Sequence, residues 1–339
     1  MEELPSGRLL INLQGSLLEA EALEGLSVGA ELFARVEQLQ PQIVLRILDP
    51  GQGIEAEAAR ILRANLPHQV LVGDSLNALR QELTRLAGLP TQAAPPPSLT
   101  KLQTLLKNLL LDDTSPTAEH LATFVRDGGL HYEAKLLRLA EEHPQALAHA
   151  AEGDVKGLLL QALKDAETAS INPEARTAIV THLGHIETQQ AVNLLAQTHG
   201  EPYQLQIPFF SGQEISTAFL SIEADGDNQG EKGKRGKGEK GQGYNVLFLL
   251  DLEGFGQTRI DAHITAKTLW VAFYVDQSRT VSLLHSELPA FRETLQSLGY
   301  KEVLLTAKPL AQLSSEKRQK FDALAAGIPG KINLLDVRA

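Results

Sequence analysis

The sequence predicts a multidomain α+β protein: a small N-terminal β module, a central all-α region and a C-terminal α/β domain made of a sheet plus a helix. Three observations carry that expectation. Short apolar segments divided by Gly and Pro fill residues 1–50. Single apolar stripes at helical spacing recur through 54–200, and alternation with period two returns over 201–310. A chain of 339 residues accommodates two or three such units, and 43% apolar residues are enough for their cores.

Within residues 1–50, Arg8–Leu13 and Ser16–Ala20 flank the turn signal Gln14-Gly15, while Glu31–Gln38 and Gln42–Leu48 flank Pro41. Strands of this length with such breakers predict a small barrel-like module. Asp49-Pro50-Gly51 stops the pattern.

A helical extension over 54–90 follows, with Ile54–Leu66 ending before Pro67 and Ser75–Ala87 ending at Gly88. Residues 91–98 form a Pro-rich linker, because the Pro run favours extended backbone. The helical domain spans 99–200. Ser98 is the expected N-cap of Leu99–Leu111, and Ser115-Pro116 opens a helix that Gly128-Gly129 breaks. His131–Glu142 and Asp154–Ala166 come next, then a long segment from Asn172-Pro173 to Thr198. With one apolar stripe each, these helices must pack on one another.

The C-terminal α+β domain covers 201–310. Tyr203–Pro208, Ser216–Glu223 and the strongly apolar Tyr244–Leu252 read as strands. Thr258–Ala266 and Thr268–Asp276 read as a hairpin about Lys267. On its second strand Leu269, Val271, Phe273 and Val275 share one face; Trp270, Ala272 and Tyr274 share the other. From Ser278, Val281, Leu284, Leu288, Phe291, Leu295 and Leu298 make one helical stripe, within which Pro289 predicts a kink or restart. Glu302–Thr306 returns as a strand. Residues 311–339 supply a last helix (Ser315–Ala325) and a tail, or short strand, at Ile332–Val337. The segment 225–243 lacks apolar residues and is expected to be a mobile loop.

Composition excludes several chemistries. Cysteine is absent, which removes disulfides, thiol catalysis and zinc-thiolate sites. A formal net charge of -11 argues against nucleic acid or anionic membrane as the partner. The basic residues Lys232, Lys234, Arg235, Lys237 and Lys240 of the Gly-rich loop are balanced by Glu223, Asp225, Asp227, Glu231 and Glu239, and Lys237 is followed by Gly238 rather than by the Ser or Thr of a phosphate-binding loop. His182 and His185 stand three apart on a helix without a third ligand, so surface or helix-end positions are expected for them. Asp112-Asp113 and Glu141-Glu142 are neighbours that do not face each other on a helix. No nucleophile elbow is present, and Gly254–Gly256 lies between two strands rather than between a strand and a helix. No catalytic residue, metal or cofactor is therefore expected. Trp270, the single Trp, is either a core residue, as burial tendencies favour, or an interface anchor paired with Tyr274. Neither a basic-then-apolar leader nor a membrane-length apolar run is visible, so a cytoplasmic chain without membrane insertion is expected.

The string from Leu247 to Leu305 resembles the C-terminal domain of the flagellar hook-length control protein family. Its parts here are the apolar strand Leu247–Leu252, the loop Gly254–Gly256, the β-stretch Gln257–Asp276, the leucine-spaced helix Arg279–Leu298 with the step Leu288-Pro289-Ala290-Phe291, and Gly299-Tyr300. Gly128–Ala140 (GGLHYEAKLLRLA) and Asp154–Leu163 (DVKGLLLQAL) are similar to helical segments of longer relatives, and Gly7–Leu48 is similar to the β module that opens some of them. Two features depart from the family pattern. Phe255 stands where Leu is common, with no Pro before it, and the long Pro/Gln/Ser/Thr-rich region of the best-known members is missing.

The resemblance implies a non-enzymatic role in bacterial flagellum assembly. Family members are exported by the flagellar type III secretion apparatus, and their C-terminal domain engages the cytoplasmic domain of the export-gate switch protein. That contact is the export specificity switch from hook to filament subunits. Hook or hook-cap subunits are implied as partners of the N-terminal part. The candidate partner-binding residues are Leu252, Gly254, Phe255, Gly256 and Arg259 at the β-loop, with Trp270 and Tyr274 on the hairpin. A structural or adaptor protein outside flagella, using the same interaction module, is the alternative.

Overall fold

The computed structural model describes residues 2–3, 8–13, 16–21, 33–38, 44–48, 54–88, 96–110, 118–168, 172–211, 214–225, 243–252 and 255–313. They form a mixed α+β protein in which helices precede a six-stranded mixed sheet. Most of the Gly-rich loop, the Pro run before Pro96, the Ser115-Pro116 step and everything after Leu313 lie outside the described residues.

Strands β1 (Glu2–Glu3), β2 (Arg8–Leu13) and β3 (Ser16–Glu21) pair antiparallel in the order β1-β2-β3. Strands β4 (Phe33–Gln38) and β5 (Val44–Leu48) form a separate antiparallel pair, with a register shift between Val36 and Gln38. Among the described residues these two sheets share no strand and no barrel closes.

The helices are α1 (Ile54–Asn65), α2 (Val72–Ala87), α3 (Pro97–Leu109), α4 (Ala118–Asp127), α5 (Tyr132–Glu142), α6 (Val155–Thr168) and α7 (Pro173–His199). A 3-10 segment, Pro144–Gly153, joins α5 to α6. The long α7 is fixed at both ends. The Asn172 side chain accepts the Ala175 N–H at 3.0 Å, Pro173 needs no N-terminal partner, and Gly200 closes the helix at φ 67°. Ile179, Leu183 and Ile186 of α7 meet Leu76 and Leu79 of α2, Leu99 and Leu102 of α3 and Leu158 and Leu159 of α6 in the main core. Further along α7, Ala191 and Leu195 bury against Ala58 and Leu62 of α1. The start of α3 differs from the sequence expectation. The helix opens at Pro97, and the Ser98 hydroxyl donates to Asp165 at 2.6 Å instead of capping. The Pro ring sets the helical φ, so the hydroxyl is left to tie α3 to α6.

The sheet runs β11-β10-β9-β8-β7-β6. Its strands are β6 (Tyr203–Ser211), β7 (Glu214–Ala224), β8 (Tyr244–Leu252), β9 (Gly256–Ile264), β10 (Thr268–Val275) and β11 (Glu302–Pro309). All neighbours are antiparallel except β10 and β11, which are parallel because α8 (Ser278–Ser297) carries the chain across between them. The hairpin connection is Thr265–Lys267 rather than Lys267 alone, because Thr265 Oγ1 accepts the Thr268 N–H at 2.9 Å and widens the turn. The sequence places a break at Pro289, yet α8 is continuous. Pro289 and His285 are both exposed, so the carbonyl that Pro289 leaves without a helix partner faces water.

One face of the sheet is apolar and covered. Leu269, Val271 and Phe273 of β10, with Val303, Leu305 and Ala307 of β11, pack under Val281, Leu284, Leu288 and Leu295 of α8. Beside them Leu130, between α4 and α5, packs on Leu205, Leu220 and Val246.

Two asparagines fasten the helices to the sheet. Asn193 of α7 donates to the Gln204 carbonyl at 2.7 Å and accepts the Gln204 N–H at 2.8 Å. Asn77 of α2 does the same at Ile215, at 2.9 and 3.1 Å. Each carboxamide thus replaces the missing neighbouring strand at a backbone edge. Between them the N-terminus of α2 lies on β7 so closely that a Cβ on Gly73 would stand 2.5 Å from the Ile215 carbonyl oxygen. The Gly73 N–H donates to Thr217 Oγ1 at 3.0 Å and the Val72 N–H to Gln206 Oε1 at 3.1 Å.

Candidate functional site

The register of the sheet arranges its second face in rows. One row is Asn245–His263–Trp270–Leu304, crossing β8 to β11. His263 Nδ1 lies 2.9 Å from Asn245 Oδ1, an acceptor, so this nitrogen carries the proton. The His263 and Trp270 rings meet at 5.9 Å, tilted by 53°. Trp270 remains 50% exposed and Leu304 57%, side by side on adjacent strands. A buried Trp was the favoured expectation. It stands in the open because the apolar cover, α8, lies on the opposite face.

A second row is Leu249–Arg259–Tyr274–Lys308. Arg259 and Tyr274 are buried here, and Arg259 Nε donates to Asp261 Oδ1 at 2.6 Å. Tyr274 and Leu249 pack with Leu310 and Leu313, which follow β11.

The predicted contact residues therefore divide into two places. Arg259 and Tyr274 are register partners, and Trp270 shares their face one end further along. Leu252, Phe255 and Gly256 form the β8–β9 turn at the opposite end of β9 from the Trp270 row, about 24 Å away by strand rise. In that turn the Phe255 N–H donates to the Leu252 carbonyl at 3.0 Å, and Gly256 takes φ 75°, a conformation that selects glycine. Gly254 lies outside the described residues.

Sequence reasoning missed a crossed ionic cluster. Glu133 and Lys135 of α5 meet Asp154 and Lys156 at the start of α6, each acid with the other segment's base. Lys135 Nζ donates to Asp154 at 2.8 Å and to Asp127 at 2.9 Å; Lys156 Nζ donates to Glu133 and, at 2.7 Å, to Gln190. Asp154, fully buried, also caps α6 by accepting the Lys156 N–H at 3.0 Å. Gln190 of α7 donates to the Gly129 and Leu130 carbonyls and to Glu133. Burial pushes the Asp154 carboxyl up against the pull of Lys135. Burial acts on Lys135 in the downward direction, but its bonds to Asp154 and Asp127 outweigh it and leave the ammonium above its ordinary value. Close packing supports the cluster, since a Cβ on Gly129 would lie 2.9 Å from Ile186 and 3.1 Å from Lys156. The alternation Glu133-x-Lys135 against Asp154-x-Lys156 was the available signal.

His182 and His185 are also not where the sequence suggested. Both are buried on α7, stacked at 6.2 Å with rings 8° from parallel. The α7 face they share turns toward α2, where His182 meets Ser75, while Arg176, Thr177 and Val180 take the exposed side. His182 Nδ1 lies 2.9 Å from Ser75 Oγ, and Ser75 Oγ donates to the Val72 carbonyl at 3.0 Å. A carbonyl only accepts, so the serine proton is committed there and His182 donates to the hydroxyl, the reverse of an activated serine. Burial, then the neighbouring His185, brings His182 down to about 3; burial brings His185 to about 4 against the pull of the Val70 carbonyl. Both rings are neutral at physiological pH.

Among the described residues no three His, Asp or Glu side chains gather as a metal set, and no helix is long and apolar enough to cross a membrane. Comparison of the chain with protein-family models, with curated proteins and with solved structures finds no match in any of the three.

Proposed function

We propose that this chain is a non-enzymatic docking protein of the flagellar hook-length control kind. Its C-terminal unit, about Gln204–Thr306, binds the cytoplasmic domain of the type III export-gate switch protein and turns export from hook to filament subunits. The observation that carries the reading is the exposed Trp270–Leu304 pair, held by His263 on a sheet whose other face is filled. An aromatic anchored on a rigid strand with an aliphatic neighbour suits recognition of a protein surface. The sequence string that resembles the family runs through this sheet, and the two similar upstream segments join through the Glu133–Lys156 and Lys135–Asp154 pairs. In this reading the β module of 1–50, the helices of 54–200 and the sheet of 201–310 are successive units, made in the cytoplasm and exported through the flagellar apparatus.

The test pairs a deletion strain with a binding assay. Loss of the gene gives hooks of uncontrolled length and few filaments, and the full chain captures the export-gate cytoplasmic domain. Normal hooks together with no capture remove the proposal. The missing long Pro/Gln/Ser/Thr-rich region and Phe255 in the β-loop favour a second reading, an adaptor outside flagella built on the same sheet. Normal flagella with capture of a non-flagellar partner through Trp270 would establish it.

A further inference from the structure

The two edges of the sheet are treated differently. At β6, Asn193 occupies the outward Gln204 amide and carbonyl, and Pro208, at the same outward parity, offers no N–H. That edge is interrupted at both places. At β11 the Glu302 N–H bonds inward to the Lys267 carbonyl at 3.2 Å. Even-numbered residues of β11 therefore bond β10, and the N–H and C=O groups of Val303, Leu305 and Ala307 point outward. Among the described residues no strand takes them.

We propose that this edge pairs with the same edge of a second copy of the chain, antiparallel about a two-fold axis at Leu305. The strand is self-complementary in that register. Val303 stands opposite the second copy's Ala307, Leu305 opposite its own counterpart, and each pair exchanges two backbone bonds. The intervening positions place Glu302 opposite Lys308 of the other copy, and Leu304 opposite Thr306. Glu302 and Lys308 are exposed and make no ion pair with any described residue, so the register joins opposite charges at both ends. The two exposed Leu304 side chains become diagonal neighbours across the axis, which covers part of the Trp270–Leu304 patch. Pro309, which has no N–H to offer, ends the ladder. One residue of slip would set these outward groups opposite even-numbered residues, whose N–H and C=O groups already bond β10, so the backbone fixes the parity.

Sedimentation equilibrium of the full chain tests this, with Glu302→Lys, Lys308→Glu and the double reversal, none of which touches the core. A reversible dimer is expected, with a mass about twice 36.8 kDa. Each single reversal puts like charges opposite at both symmetric sites and weakens the dimer on the order of tenfold. The double reversal restores it. A chain that stays monomeric at high micromolar concentration overturns the proposal, and so does a dimer indifferent to both single reversals. Capture of the export gate by the wild-type chain is scored separately, so failure of the dimer leaves the docking proposal standing.

Discussion

Mild acid is expected to loosen the helical core through His182 and His185. Both imidazoles are buried against Ser75, Val70 and each other, with Gln189 and Gln206 nearby and, among the described residues, no carboxylate bonded to either ring. A histidine whose folded value is depressed gives stability that is complete above its free value near 6.5 and is lost as pH falls toward the folded value. Here the folded values are about 3 and about 4, so the loss extends from about pH 6.5 downward. A pH of about 5 lies roughly 1.5 units below the free value and still above both folded values, so each ring loses ~2 kcal/mol at about 1.36 kcal/mol per unit, and the pair ~4 kcal/mol. Urea unfolding followed by far-ultraviolet circular dichroism at about pH 7.5 and 5 measures it, with His182→Gln/His185→Gln as the reference. The ionic cluster is the same in both proteins and cancels. The wild type should lose ~4 kcal/mol more than the double variant over this interval. Equal losses would refute the reasoning.

Other perturbations have unequal expected costs. Asp154→Ala removes a buried acid and the α6 cap, leaving Lys135 only Asp127; about 3 kcal/mol of unfolding free energy is lost in urea. Lys156→Met should cost within about 1 kcal/mol, because the Glu133 side chain it abandons is 58% exposed and stays hydrated. Gly73→Ala forces the α2 terminus off β7 and should cost about 1–3 kcal/mol, read as a lowered thermal midpoint. Asn193→Ala unpairs the Gln204 backbone, at a cost of about 1–2 kcal/mol with faster amide exchange along β6.

Periodicity makes the sheet legible in the sequence. Leu269, Val271 and Phe273 alternate with Trp270, Ala272 and Tyr274, and the leucine spacing of α8 matches the first set. The opening of α7 was equally plain, since Asn172-Pro173 acts locally. What stayed hidden depends on partners far apart in sequence. The burial of His182 follows from Ser75, and the exposure of Trp270 from the choice α8 makes between two faces. The cluster of Glu133, Lys135, Asp154 and Lys156 reads as ordinary helix charges until the segment Pro144–Gly153 turns α6 back on α5. The turn Leu252–Gly256 was local and legible, but its separation from Trp270 required the register of β9.

The most direct measurement is the affinity of the full chain for the export-gate cytoplasmic domain by titration calorimetry, wild type against Trp270→Ala and Leu304→Ala. Both side chains are exposed, so the variants should keep the wild-type unfolding midpoint. Saturable binding by the wild type is expected, with a loss of at least about tenfold in Trp270→Ala. Wild-type binding that both variants retain in full would contradict it.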